Sequence, residues 1–149
     1  MGNKVHRALN RYRVVIEKIY RLYQKYELAQ FNLEAGKSYL VAAVNTGMPH
    51  GSDIGRPTEK RALRTMDLEN RSLDLYNELS ELVNEKEQFD EQMKSVLSPI
   101  ELKLVRHKTI FNYTFAELAS KQGMKTATVK TQYFRALRKM EIIFNHKCV

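Results

Sequence analysis

Apolar residues in the first third of the chain recur in alternating steps of four and three positions, which is the spacing of a coiled-coil helix. The residues of this seam are Val5, Leu9, Tyr12, Ile16, Ile19, Tyr23, Tyr26 and Leu33. The pattern predicts a long helix that Gly36 could end or kink, because glycine is unfavourable inside helices and Ser38 could cap a new one. The sequence alone leaves open whether this segment is one helix or two.

A second long helix is predicted after a loop at residues 47–57, which contain three glycines and two prolines. Thr58 is the expected N-cap, and the helix should extend to about Leu97. Its apolar residues repeat at heptad-like spacing, and they are Leu68, Leu75, Leu79, Leu82, Phe89, Met93 and Val96. Tyr76 and Val83 widen this stripe, which favours packing against more than one neighbour.

The two long helices carry opposite net charge. Residues 1–46 hold 8 basic and 3 acidic side chains, whereas residues 47–97 hold 7 basic and 11 acidic ones. This complementarity favours an antiparallel helical hairpin over residues 1–96. The apolar stripes are broader than a two-helix hairpin can cover, so we expect the hairpin to self-associate into a homo-oligomer or to bind a partner.

Two capping boxes divide the last third of the chain into helices. Residues 98–101, Ser-Pro-Ile-Glu, combine an N-cap serine, a proline at the first helical position and a glutamate three residues after the cap. This helix should extend to about Phe111. Residues 114–117, Thr-Phe-Ala-Glu, repeat the box and open a short helix that continues through Lys121 and ends at Gly123.

A third helix of this domain is expected to be capped by Thr126 and to run from Ala127 to at least Met140. Its apolar face is predicted to comprise Val129, Tyr133, Ala136 and Met140, with Leu137 at the edge. The expected packing partners are Leu104, Phe115, Leu118 and Ala119. A short helix, a turn containing glycine and a longer basic helix predict a helix-turn-helix domain over residues 97–149, whose second member lies in the DNA major groove.

The opposite face of the third helix is the predicted DNA-binding surface. Arginine and lysine bind guanine edges or phosphates, while threonine, alanine and phenylalanine can contact the thymine methyl group. We expect base contacts from Thr128, Lys130, Thr131 and Arg135, and phosphate contacts from Lys121, Lys125, Arg138 and Lys139. Thr126, Ala127 and Phe134 complete the candidate set, and Phe134 could equally belong to a protein interface.

The overall charge agrees with such a partner. The 149 residues contain 25 Lys and Arg against 17 Asp and Glu, a formal net charge of +8, and the last third is the most basic segment. An excess of this size on a small chain indicates a polyanionic partner, with nucleic acid the first candidate and an anionic membrane surface the second.

The C-terminal third resembles region 4 of bacterial sigma-70-type factors. The similar stretches are Leu97–Val105, Tyr113–Ala119, Met124–Lys130 and Phe134–Met140. Gln132 departs from the apolar residue usual in that region, and the part of a sigma factor that melts the promoter has no counterpart here. Together with the helical segment and the Gly47-Met-Pro loop, the chain resembles the ArpU/RinA-like late transcription regulators of phages that infect Gram-positive bacteria.

That resemblance implies a double-stranded DNA-binding activator of phage late genes that works with host RNA polymerase holoenzyme in the bacterial cytoplasm. Two alternatives stay open on the sequence. One is a small terminase-like subunit that recognises DNA for packaging, although those proteins usually place the DNA-binding module first. The other is a scaffold whose hairpin binds another protein.

Catalytic and metal chemistry are not indicated by the sequence. His6, His50, His107 and His146 lack the spacing of a metal site. There is no nucleophile with a base and an orienting partner, and no phosphate-binding glycine loop. We therefore expect a non-enzyme without cofactor or metal. The sequence suggests neither a signal peptide nor a membrane span, and the single cysteine, Cys148, indicates a reducing compartment.

Overall fold

The computed structural model describes the backbone of residues 3–45 and 55–146, and side chains within residues 4–38 and 59–145. This part of the chain forms five helices and contains no strand, so the all-α fold class is confirmed. The helices are α1 (Asn3–Asn45), α2 (Gly55–Val96), α3 (Pro99–Phe111), α4 (Phe115–Gln122) and α5 (Thr126–His146).

α1 continues through Gly36, so the first segment is one helix rather than two. A Cβ atom at Gly36 would lie 3.6 Å from Thr65 Oγ1, which is an ordinary contact. α2 begins at Gly55, three residues before the expected cap, so the placement of Thr58 as N-cap is wrong. Pro57 fits the first turn because the N–H that it lacks has no partner within the helix there. Residues 47–54 of the predicted loop lie outside the described residues.

Contacts divide the chain into two compact units, and both long helices contribute to each. Unit 1 consists of Met1–Lys18 and Val83–Val149, and unit 2 of Ile19–Leu82. The boundary predicted at residues 96 and 97 falls inside unit 1. The beginning of α1 and the end of α2 therefore belong to the same packed unit as α3, α4 and α5.

The larger core of unit 1 joins the inner face of α5 to both long helices. Its buried members are Val5, Leu9, Tyr12, Met93, Leu97, Val105, Tyr133, Ala136 and Met140. This face of α5 therefore packs on α1 and α2 in addition to the predicted α3 and α4. Tyr133 does contact Phe115, with their ring centroids 5.5 Å apart, but Ala136 and Met140 belong to the cluster shared with α1 and α2.

A second core of unit 1 holds α4 against α3 and the start of α5. It consists of Leu104, Leu118, Ala119 and Val129, and Phe115 packs beside it as predicted. Leu104, Leu118 and Val129 have no exposed surface. The first turns of α5 are therefore held by α3 and α4, and its later turns share the larger core with α1, α2 and α3.

Both predicted capping boxes are confirmed. The Ser98 hydroxyl accepts a hydrogen bond from the backbone N–H of Glu101, and the Glu101 carboxylate accepts one from the backbone N–H of Ser98. Thr114 and Glu117 make the same reciprocal pair at the start of α4. These bonds satisfy backbone donors that a helix start otherwise leaves without partners.

Unit 2 contains the later part of α1 and the earlier part of α2. The Tyr26 and Tyr76 rings lie 6.0 Å apart, and Gln30 Nε2 donates to Ser72 Oγ at 2.5 Å. Tyr26 of α1 contacts Tyr76 of α2, whereas the later residue Gln30 contacts the earlier residue Ser72. The two segments therefore run antiparallel within this unit.

Candidate nucleic-acid interface

The turn between α4 and α5 is closed by glycine and by backbone hydrogen bonds. Gly123 has φ of +63°, a left-handed backbone conformation that residues with a Cβ atom rarely adopt, and it ends α4. The backbone N–H of Met124 donates to the Ala119 carbonyl at 3.0 Å. Val129 N–H donates to the Lys125 carbonyl, so Lys125 rather than Thr126 holds the position before the helix, and the predicted cap is off by one residue.

The outer face of α5 and the preceding turn expose nearly all of the predicted DNA-binding residues. The exposed residues are Lys121, Lys125, Thr126, Ala127, Thr128, Lys130, Thr131, Phe134, Arg135 and Arg138. Among the described residues, none forms an ion pair with Lys125, Lys130, Arg135 or Arg138. These four cations are therefore available to an anionic partner.

Lys139 differs from the rest of the predicted set because its ammonium group is engaged inside the protein. Lys139 Nζ lies 2.8 Å from Glu101 Oε2, and Glu101 is only 4% exposed. Burial by itself would raise the pKa of Glu101, but hydrogen bonds from Lys139 and Ser98 outweigh it and hold that pKa below its usual value. Lys139 thus ties α5 to α3 and is poorly placed to neutralise a phosphate.

Thr131 has a hydroxyl group that is already occupied. Its Oγ1 donates to the Ala127 carbonyl one turn earlier at 2.9 Å. Residues four and three positions apart share one side of a helix, so Ala127, Thr131 and Phe134 form a row along the outer face of α5. We call this row the apolar strip, since its members present methyl groups and an aromatic ring.

Phe134 is braced from behind by two other rings. Its centroid lies 6.1 Å from that of Phe115 and 5.7 Å from that of Tyr133, yet 52% of the residue is exposed. The Lys108 ammonium lies 4.4 Å from the Phe115 ring centroid, and that of Lys130 lies 5.8 Å from it. The exposed ring is thus held in place beside a cluster of positive charge.

Sequence reasoning missed the contribution of α3 to this surface. Lys108 Nζ donates to the Tyr113 carbonyl at 3.1 Å, and Lys121 Nζ lies 4.7 Å from the Tyr113 ring centroid. The His107 ring packs edge-on against Phe111 and Tyr113. The pKa of His107 is lowered, chiefly by burial and further by the charges of two nearby lysines. The only sequence signal was the run of aromatic residues between the two capping boxes.

Unit 2 has a groove of a different character. The groove is lined by Tyr26, Gln30, Leu33, Glu69, Ser72, Leu73 and Tyr76. Leu73 and Tyr76 are more than half exposed. Tyr23 precedes Tyr26 by three residues and is 48% exposed, so it extends the same side of α1. We call this surface the groove face.

Within the part of the chain that the structure describes, no group of three or more His, Cys, Asp or Glu side chains is arranged to hold a metal ion. Among the described helices, none has a stretch apolar and long enough to cross a membrane. Comparison of the chain with protein-family models, with curated proteins and with solved structures finds no match.

Proposed function

We propose that this protein binds double-stranded DNA sequence-specifically through a helix-turn-helix formed by α4 and α5, which α3 completes as a three-helix domain. The observation that carries the proposal is the outer face of α5, where exposed cations without ion-pair partners flank an apolar strip. The inner face of the same helix is buried from Val129 to Met140, so the outer face is presented on a packed support. A helix with an exposed cationic face of this kind fits the major groove.

The charged residues divide into two roles by position. Lys121, Lys125 and Arg138 lie toward the two ends of the surface and would neutralise phosphates, which makes the affinity fall as salt rises. Lys130 and Arg135 flank the apolar strip and would hydrogen-bond to base edges, with guanine the preferred base for both. Thr128 adds a short polar side chain beside Arg135.

Arg135→Ala is expected to relax the base preference and to weaken binding to the best site by about 1–3 kcal/mol, because a base contact would be lost. The preference would be measured by selection from randomised duplexes, and the affinity by titration at two salt concentrations. Lys94→Ala is the matched control, since it removes an exposed cation of α2 and should leave the preference unchanged. If wild type and Arg135→Ala select identical sequences, this orientation of α5 on DNA is wrong.

We further propose that binding activates transcription of phage late genes together with host RNA polymerase holoenzyme, in the bacterial cytoplasm. Support comes from the resemblance of the last third to sigma region 4 and of the whole chain to ArpU/RinA-like regulators. The capped helices and the glycine turn, on which that resemblance rests, are present in the structure.

Purified protein is expected to increase transcript from a late promoter when holoenzyme is supplied and to give none with core enzyme, because an accessory activator leaves promoter opening to the resident sigma factor. In vitro transcription with both enzyme forms, combined with footprinting, measures this. Transcript from core enzyme would establish a sigma role instead. Specific binding near a packaging start site without stimulation would replace activation by DNA recognition for packaging.

We also propose that the antiparallel helices of unit 2 form a hairpin that joins two copies of the chain through the groove face. Tyr20 lies three residues before Tyr23 on α1, and Met66 lies seven residues before Leu73 on α2, so both extend the groove face. Tyr20, Tyr23, Met66, Leu73 and Tyr76 are each 48–65% exposed. At roughly 100 Å² each, they offer about 500 Å² of largely apolar surface. A standard interface buries about 800 Å² per partner, so the groove face supplies more than half of what a stable dimer needs. Self-association through a two-fold axis would also present two DNA-binding domains to two half-sites.

A further inference from the structure

The centre of the outer face of α5 offers apolar contact where its flanks offer hydrogen bonds. At 100° per residue, Lys130 lies on one side of the apolar strip, and Thr128 and Arg135 lie on the other. Within the strip, Ala127 and Phe134 have no polar side-chain atom, and the Thr131 hydroxyl donates to the Ala127 carbonyl. The strip therefore brings two methyl groups and a ring edge to its partner.

Among the base edges in the major groove, only thymine carries an apolar substituent, the C5-methyl group. Cytosine presents an amino donor, and purines present acceptors that would lose their water against an apolar side chain without gaining a new partner. We infer that the apolar strip reads thymine methyl groups and that Thr131 and Phe134 determine specificity for thymine at the middle of the recognised sequence. This inference rests on the proposed DNA-binding function.

Phe134 is suited to this role because its ring is already ordered. Packing against Phe115 and Tyr133 limits the rotamers of its side chain, while about half of its surface stays accessible. A ring held in this way loses little conformational entropy when it contacts a base. Thr131 is held in a comparable way, since the bond of its hydroxyl to the helix backbone fixes the side-chain rotamer.

Replacing single thymines by deoxyuridine tests the inference, because this change removes only the methyl group. The full chain would first be used to select its preferred duplex, and each thymine would then be replaced in turn. At one or two central positions we expect binding to weaken about threefold to fourfold per methyl lost. If Phe134 contacts the methyl group at such a position, Phe134→Ala should bind the thymine and uracil duplexes equally. If Thr131 contacts it, Thr131→Ser should bind them equally.

Ile100→Ala is the matched control, since it shortens an exposed apolar residue that belongs to α3 and should keep the full uracil effect. Three outcomes decide between the ideas. Specific binding without any uracil effect overturns thymine-methyl recognition and leaves the DNA-binding proposal standing. A uracil effect that persists in both strip variants overturns the assignment to these residues. Absence of sequence-specific binding to any duplex overturns the DNA-binding function itself.

Discussion

Asp90→Ala is expected to lower the free energy of unfolding of unit 1 by about 3 kcal/mol, because it leaves the buried Tyr12 hydroxyl and two half-buried cations without their partner. Asp90 is 6% exposed, and its carboxylate joins three helices. It accepts hydrogen bonds from the Tyr12 hydroxyl at 2.7 Å and from Lys86 Nζ at 2.8 Å, and it lies 2.6 Å from Arg106 Nη2. Loss of this carboxylate leaves polar groups on α1, α2 and α3 without their hydrogen-bond or ion-pair partner.

Chemical denaturation followed by circular dichroism would measure the change. Glu91→Ala is the matched control, since it removes the neighbouring exposed carboxylate of the same helix and should cost well under 1 kcal/mol. A loss for Asp90→Ala no larger than that of the control would mean that the cluster contributes nothing net to stability.

The same cluster gives the stability of unit 1 a defined dependence on pH. Burial opposes ionisation of Asp90, but hydrogen bonds from Lys86, Arg106 and Tyr12 outweigh it and lower its pKa from the usual value. A carboxyl group with a lower pKa in the folded state stabilises fully above its unfolded pKa, about 3.9, and loses that contribution as the pH falls through the folded pKa. The difference in free energy of unfolding between wild type and Asp90→Ala should therefore become smaller below about pH 4. A gap that stays constant on acidification would contradict this account.

Leu73→Glu is expected to convert the proposed dimer into a monomer, with the dissociation constant raised at least about a hundredfold, because a two-fold interface would bury two copies of the new charge. Leu73 lines the groove face and is 57% exposed, so the substitution should leave unit 2 folded. Sedimentation equilibrium over a range of concentrations would measure the oligomeric state, and circular dichroism would check the fold.

Leu28→Glu is the control for that variant. Leu28 is 61% exposed and does not line the groove, so the same chemical change should leave assembly intact. A wild-type protein that sediments as a monomer at every concentration would refute the dimer. If Leu73→Glu and Leu28→Glu assemble to the same extent, the interface lies on a surface other than the groove face.

The local signals in the sequence were reliable because they depend on residues close together in the chain. Each capping box spans four positions, and Gly123 ends α4 through its own backbone conformation. The seam of α1 correctly marks Val5, Leu9 and Tyr12 as buried, since periodicity reports which side of a helix avoids water. The seam is wrong at Tyr23, which is 48% exposed, and it omits Val15 and Leu22, which are buried.

Periodicity does not show which residues pack against the buried side of a helix. Contacts between residues far apart in the chain were therefore not predicted. Nothing in the sequence pairs Tyr12 with Asp90, 78 residues away, or Lys139 with Glu101, 38 residues away. The orientation of the Thr131 hydroxyl was likewise inaccessible, because a helical threonine can bond to its own backbone or to an external partner.

The larger core of unit 1 also constrains when this protein can fold. Val5 and Met140 are buried in the same cluster, although 135 positions separate them along the chain. During synthesis, the amino-terminal turns of α1 leave the ribosome long before α5 exists to cover them. Closing so long a loop is slow and leaves apolar surface exposed meanwhile. The outer face of α5 therefore gains its full support only after both Val5 and Met140 have left the ribosome, so a nascent chain that stops before Met140 would lack this part of the core.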